Sequence, residues 1–236
     1  MAATSGSSST WVLSNHDVVR HASRYGLPSD ADLNGWLLHG GRAPREDRAL
    51  GTARARAAAL LLLALPGSTY LYQGEELGLF EVATLTDGEL QDPIWERSEH
   101  RTRGRDGCRV PLPWSAQSPG YGFSMASPHL PQPAWFASMA ADAQEGDPNS
   151  MLTLYRAALR LRRELQGAEE LAWGPLTSPT VLDVVRPNGW RSVTNFGDTP
   201  IELPRRPVVL ASARITAGRL PGNATAWLYG DADVSP

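Results

Sequence analysis

The 236-residue chain balances 22 Lys and Arg against 25 Asp and Glu, a formal net charge of −3, and lacks the basic footprint that nucleic acid or an anionic membrane surface selects. Its length suits one large domain or two modest ones. A single cysteine, Cys108, excludes an internal disulfide framework and, with no export signal in the opening MAATSGSSST, predicts a cytoplasmic location.

That opening reads as a solvated loop. Trp11, Val12 and Leu13 then make a strand-like run that stops at Asn15-His16-Asp17. Two readings stand side by side for these three residues. Asn and Asp favour turns, and an Asp can cap the next helix; alternatively they belong to a site, because the C-terminal ends of parallel strands converge in α/β folds. From Arg48 to Leu65 the chain is nearly all Ala, Leu and Arg, strong helix formers stopped by Pro66-Gly67, and AAALLLLALPG is too short to span a bilayer. Thr69 to Tyr72 predict a second strand, ending in Gln73-Gly74-Glu75-Glu76. Strand, helix, strand predicts parallel pairing, with both polar clusters at one edge. The adjacent carboxylates of Glu75 and Glu76 would face opposite ways in an extended segment, which favours rim hydrogen bonding over an acid/base pair. His16 and His21 have no further ligands in a recognisable spacing, so neither a metal nor a cofactor is expected.

Residues 78 to 146 are rich in Pro, Gly and aromatics, and read as ordered functional loops rather than disorder. Most of the eight tryptophans are expected in cores, with a minority suited to stacking on sugars. DPNSMLTLYRAALRLRREL predicts a helix to Gly167 with Asp147 as N-cap and Pro148 at the first helical position. Beyond it, VLDVVRPNGWRSVTNF predicts a hairpin about a two-residue Asn188-Gly189 turn. PIELP, RPVVLAS and TAWLYG follow as short strands, and Asn223-Ala224-Thr225 reads as a turn rather than a glycosylation site. The expected division is 1–168 and a small antiparallel β domain over 169–236.

Six segments in one order, WVLSNHDVVRHASRYG, LALPGSTYLYQGEELGL, GRDGCRVPLPW, LPQPAWF, LYRAALRLRREL and TAWLYG, resemble the C-terminal part of glycoside hydrolase family 13, in the α-glucosidase and oligo-1,6-glucosidase branch of the α-amylase superfamily. The resemblance implies an α/β fold: an incomplete (β/α)8 TIM barrel, consisting of its last two βα units on residues 1–168, followed by the antiparallel β domain. It places residues 10–16 on barrel strand seven and 68–73 on strand eight.

It also implies roles. Asp17 matches the family's third essential carboxylate, and with His16 would bond the sugar where the glycosidic bond breaks, stabilising the flattened oxocarbenium-like ring. Arg109 matches an arginine at the next sugar subsite, with a salt bridge to Asp106 or Glu99 as its structural alternative. The family's nucleophile and acid/base belong to strands four and five, far upstream of the Asn-His-Asp segment, and eight strands with their helices need roughly 250 residues. The expectation is therefore a C-terminal portion of a retaining α-glucosidase acting on α-gluco-oligosaccharides, inactive alone, arising from truncation, a misplaced start or a split protein. Its uncovered strand edges would invite a complementing N-terminal barrel fragment, and the helix at 48–65 would lack part of its partner surface. The alternative is a non-catalytic remnant or carbohydrate-binding and interaction module. Linkage preference stays open, since the family reads it on the missing strands.

Overall fold

A computed structural model describes residues 8–230. Its strands are β1 Thr10–Val12, β2 Ser68–Tyr70, β3 Ala172–Trp173, β4 Val181–Val185, β5 Arg191–Asn195, β6 Ile201–Glu202, β7 Val208–Ala211, β8 Arg219–Leu220 and β9 Ala224–Leu228. The helices are α1 His21–Gly26, α2 Leu33–Leu38, α3 Arg48–Ala64, α4 Ile94–Arg97, α5 Asp106–Arg109, α6 Phe136–Met139, α7 Ala141–Gln144 and α8 Met151–Leu165. Most of the MAATSGSSST segment lies outside the described residues. No described helix is long and apolar enough to cross a membrane. The chain divides into two compact units, one of residues up to Val12, Ala53–Tyr70 and everything from Leu154, the other of Leu13–Thr52 and Leu71–Thr153.

In the first unit β1 pairs with β2 in parallel, Thr10 opposite Ser68 and Val12 opposite Tyr70, as the strand, helix, strand order predicts. The second strand is shorter than expected: it ends at Tyr70, and residues 73–78 run through turns rather than extended backbone. Tyr70 is exposed, as is Val12. The antiparallel sheet has the order β3-β4-β5-β9-β7, with β6 and β8 as a separate pair. β9 is buried on both faces because its alternation serves two cores. Ala224, Ala226 and Leu228 pack with Val181, Val193 and Leu220. From the opposite face, the Thr225 hydroxyl donates to the Ala57 carbonyl (2.8 Å) and the Trp227 indole N–H to the Leu60 carbonyl (3.0 Å).

These contacts give α3 cover from β9 at Ala57 and Leu60, whatever part of its partner surface the expectation left missing. Ala55, Leu60, Leu63 and Ala64 are buried, because the sheet supplies cover. At the end of α3, orphan carbonyls find arginines instead of water: Arg186 donates to Ala64 (2.9 Å), and Arg162 to Leu63, to Leu65 (3.0 Å) and to Gly67 (2.6 Å).

Two local expectations are also corrected. Arg186 and Trp190 bracket a three-residue loop, Pro187-Asn188-Gly189, in which only Gly189 has positive φ (86°). Asn188 instead accepts from the Trp190 amide (3.2 Å) and donates to the Leu165 carbonyl (2.5 Å). The cap of α8 is Ser150, whose hydroxyl accepts the Thr153 amide (3.1 Å); Asp147 closes a turn on Asn149 (2.8 Å) before the helix starts.

The second unit holds its long irregular stretch on a core of its own, with Leu77, Leu79, Val82, Leu85, Val110, Leu112, Leu130, Phe136 and Leu152 packed together. A smaller cluster joins Leu27, Trp36, Leu37 and Ala83. Asp32 caps α2 and Asp47 accepts the Leu50 amide at the start of α3. Gly26 is required where the chain comes close to Asp47: a Cβ there would lie 2.6 Å from the Asp47 carbonyl oxygen.

Candidate functional site

The loop that carries Asn15-His16-Asp17 is held from beneath by buried polar groups. The Ser14 amide donates to Glu75 (3.1 Å), and the Ser14 hydroxyl accepts the His21 amide (2.9 Å) while lying 3.0 Å from His21 Nδ1. Arg24 donates to the carbonyls of Leu13 and Val19. Arg20, 3 % exposed, reaches the carbonyls of Gln73 (2.8 Å) and Cys108 (2.8 Å), and its own amide meets Glu81 (2.9 Å). Three stretches far apart in sequence, 13–20, 73–81 and 105–109, are thereby fastened at one place.

On that base Asn15 makes the turn, its side chain accepting the Asp17 amide (2.8 Å). Asp17 caps no helix: α1 begins at His21 with Arg20 at the N-cap position, and the His21 amide is taken by the Ser14 hydroxyl. The Asp17 carboxylate accepts from Arg105 (2.8 Å) and Arg109 (3.2 Å), and lies 3.3 Å from His16 Nε2. Arg109 also donates to the His16 carbonyl (2.9 Å). The structure therefore brings His16, Asp17 and Arg109 together. Arg109 pairs with neither Asp106 nor Glu99, because Asp106 accepts the backbone amides of Gln91 (2.7 Å) and Asp92 (2.8 Å) and Glu99 meets Arg101.

Sequence reasoning missed Arg105 and Asp92. Arg105 sits four residues before Arg109 across the short helix α5, a spacing that puts both guanidinium groups on one side; the Arg-Asp-Gly-Cys-Arg run carried that signal. Asp92 is remote in sequence and carried none. The hydrogen bond from Arg105 keeps the Asp17 carboxyl below its ordinary value, with the charges of His16, Arg105 and Arg109 acting the same way. The same guanidinium lowers Asp92 to about 2. The site thus presents an ionised, half-exposed carboxylate flanked by two fixed cations and an imidazole, an arrangement able to accept and donate hydrogen bonds to a polyhydroxylated ligand.

Glu75 and Glu76 are not a carboxylate pair. Glu75 is buried on Ser14, and Glu76 accepts the Gly74 amide (2.8 Å). Deeper still, burial lowers the His21 imidazole to about 3 and raises the Glu81 carboxyl to about 7. Between the ordinary values of 4.5 and 6.5 these groups oppose each other. The unfolded chain protonates a histidine that the fold keeps neutral, so stability rises with pH. The fold meanwhile keeps a proton on Glu81 that the unfolded chain has lost, so stability falls with pH. Glu81→Gln is expected to unmask the histidine, giving unfolding free energies from urea titrations that climb from pH 4.5 to 6.5 with a slope of at most ~1.4 kcal/mol per pH unit, against a flatter wild-type profile. A variant profile as flat as wild type would show that His21 titrates normally in the fold.

Residues 2–170 match the family model for the alpha-amylase catalytic domain. The chain belongs to the alpha-amylase family. Among similar proteins in this family are a probable alpha-glucosidase of Rhizobium meliloti (strain 1021), 40 % identical over 153 residues covering 65 % of this chain and 24 % of that protein, and an oligo-1,6-glucosidase of Parageobacillus thermoglucosidasius, 26 % identical over 64 % of this chain and 26 % of that protein. The solved structure of an alpha-glucosyl transfer enzyme, XgtA, superposes with a TM-score of 0.70 at 32 % identity, over 93 % of this chain and 40 % of that one. The isomaltulose synthase of Klebsiella sp. LX3 shares the fold, with a TM-score of 0.69 at 21 % identity over 93 % of this chain and 42 % of that one. The chain spans about a quarter of the length of these two curated relatives.

Proposed function

We propose that this chain is the C-terminal portion of a retaining α-glucosidase acting on α-gluco-oligosaccharides, with β1 and β2 as the last two strands of its (β/α)8 barrel. Residues 1–168 would then belong to the catalytic barrel and 169–236 to the β domain that follows. The observation that carries the reading is the Asp17 carboxylate, ionised and held between Arg105 and Arg109 on the loop after β1. In the family's chemistry such a carboxylate bonds sugar hydroxyls more strongly as the ring flattens, while a separate nucleophile and proton donor perform the displacement. His16 and Arg109 complete the sugar contacts in this reading, Arg109 toward the neighbouring subsite.

Displacement and protonation need two more carboxyl groups than this site offers. The complementing partner is a barrel segment supplying strands one to six, either from upstream in the same polypeptide or as a second chain. The lone buried cysteine is in keeping with a cytoplasmic location.

The experiment is an α-glucosidase assay on the purified 236-residue chain, and on the same chain completed by co-expression with the N-terminal part of a close relative. The expected result is no turnover by the chain alone and turnover by the completed enzyme. Hydrolysis by the chain alone would overturn the reading; oligosaccharide binding without turnover after completion would favour the carbohydrate-binding alternative.

A further inference from the structure

Arg105 is 40 % exposed, and an arginine that exposed ordinarily samples many rotamers. Here one edge of its guanidinium is taken by a carboxylate that is itself buried. Asp92, 1 % exposed in its side chain, accepts from Arg105 Nε (2.5 Å) and Nη2 (3.2 Å), a two-pronged grip along one side of the fork. Only Nη1 turns outward to Asp17. Asp92 is immobile in its turn: its amide donates to Asp106 (2.8 Å), and its carboxylate also accepts the amides of Ile94 (3.1 Å) and Arg105 (3.2 Å). Arg109 Nη1 lies 4.0 Å from the same carboxylate.

We infer that Asp92 is a positioning residue for the sugar site: it locks Arg105 from below, so that a fixed guanidinium sets the orientation of the Asp17 carboxylate. The asymmetry of the two partners is the physical reason. A bidentate bond to a buried, thrice-anchored carboxylate is worth more than a single bond to a half-exposed one, which water competes for. Arg105 therefore belongs to Asp92 and is lent to Asp17. Free to move, it would swing on and off Asp17, leaving the carboxylate with the longer bond from Arg109 (3.2 Å) and the His16 contact as its remaining restraints. The inference rests on the proposed sugar-binding role of Asp17 for its purpose, and on geometry alone for its content.

The test is NMR of the arginine side chains in the isotope-labelled 236-residue chain, reading hydrogen exchange and the order parameter of Arg105 Nε–H. Asp92→Asn is expected to speed that exchange at least tenfold and to lower the order parameter, read at a temperature well below the variant's own melting transition. Asp17→Asn is expected to leave both unchanged. The inference is overturned if Asp92→Asn leaves Arg105 Nε–H protected, or if Asp17→Asn alone mobilises it. The second arm decides the question even if Asp92→Asn fails to fold. Neither arm involves a sugar, so a failure here leaves the proposed activity standing, and a failed glucosidase assay leaves this result standing.

Discussion

Asp17→Asn in the completed enzyme is expected to lower kcat by about 10² to 10³-fold, with KM changed by no more than a few-fold. The substitution keeps size and shape but replaces one carboxylate oxygen by an NH2 group. In the present geometry Asp17 faces Arg105 and Arg109 and so is an acceptor on that side; an amide must turn its remaining oxygen to them or set donor against donor. The group left for the substrate is uncharged, and its hydrogen bond no longer strengthens as positive charge grows on the sugar ring. The loss therefore falls on the transition state more than on ground-state binding. Steady-state kinetics on a gluco-oligosaccharide check this. A variant within threefold of wild type in kcat would return Asn15-His16-Asp17 to the role of an ordinary turn.

The largest effect on stability is expected at Trp227. Its side chain is fully buried, packs edge-on against Trp190 at 4.8 Å and donates to the Leu60 carbonyl inside α3. Trp227→Ala deletes the ring contact with Trp190 and the hydrogen bond to α3 and leaves a cavity at a fully buried site, a loss of about 3–5 kcal/mol. That is a large part of what holds a domain folded. Trp227→Phe keeps the ring contact and removes the indole donor, for which the expected cost is about 1–3 kcal/mol because a buried carbonyl loses a partner. Urea unfolding followed by far-UV circular dichroism measures both. A loss under 1 kcal/mol for the alanine variant would mean that the sheet does not depend on this contact with α3.

Patterns within reach of a few residues were legible before any coordinates. The Ala, Leu and Arg composition of α3 with its Pro-Gly stop, the segment LTLYRAALRLRREL that forms α8 and the β-rich runs after residue 169 are each signals local to the element. The strand, helix, strand order dictates parallel pairing by chain geometry, and β1 and β2 pair so. Finer local choices were not determined by composition. Ser150 rather than Asp147 caps α8, because both residue types accept amides equally well and packing decides where the helix begins. Gly189 alone takes the positive φ, because the loop closes on Trp190 one residue later than a two-residue turn would allow.

For the site, the residue order alone revealed that a polar cluster follows the first strand, and the family motifs singled out His16, Asp17 and Arg109. How Asp17 is held emerges from the folded chain. Its partner Arg105 is 88 residues away, and the carboxylate beneath that arginine, Asp92, approaches from a separate turn. Charged residues are frequent on any surface, and nothing local distinguishes Asp92 from Asp87 or Glu99. Burial makes the difference. A carboxylate removed from water must find a cation and amide donors or become protonated; Asp92 takes one amide from its neighbour Ile94, but the cation and the second amide come from Arg105, which only folding brings to it.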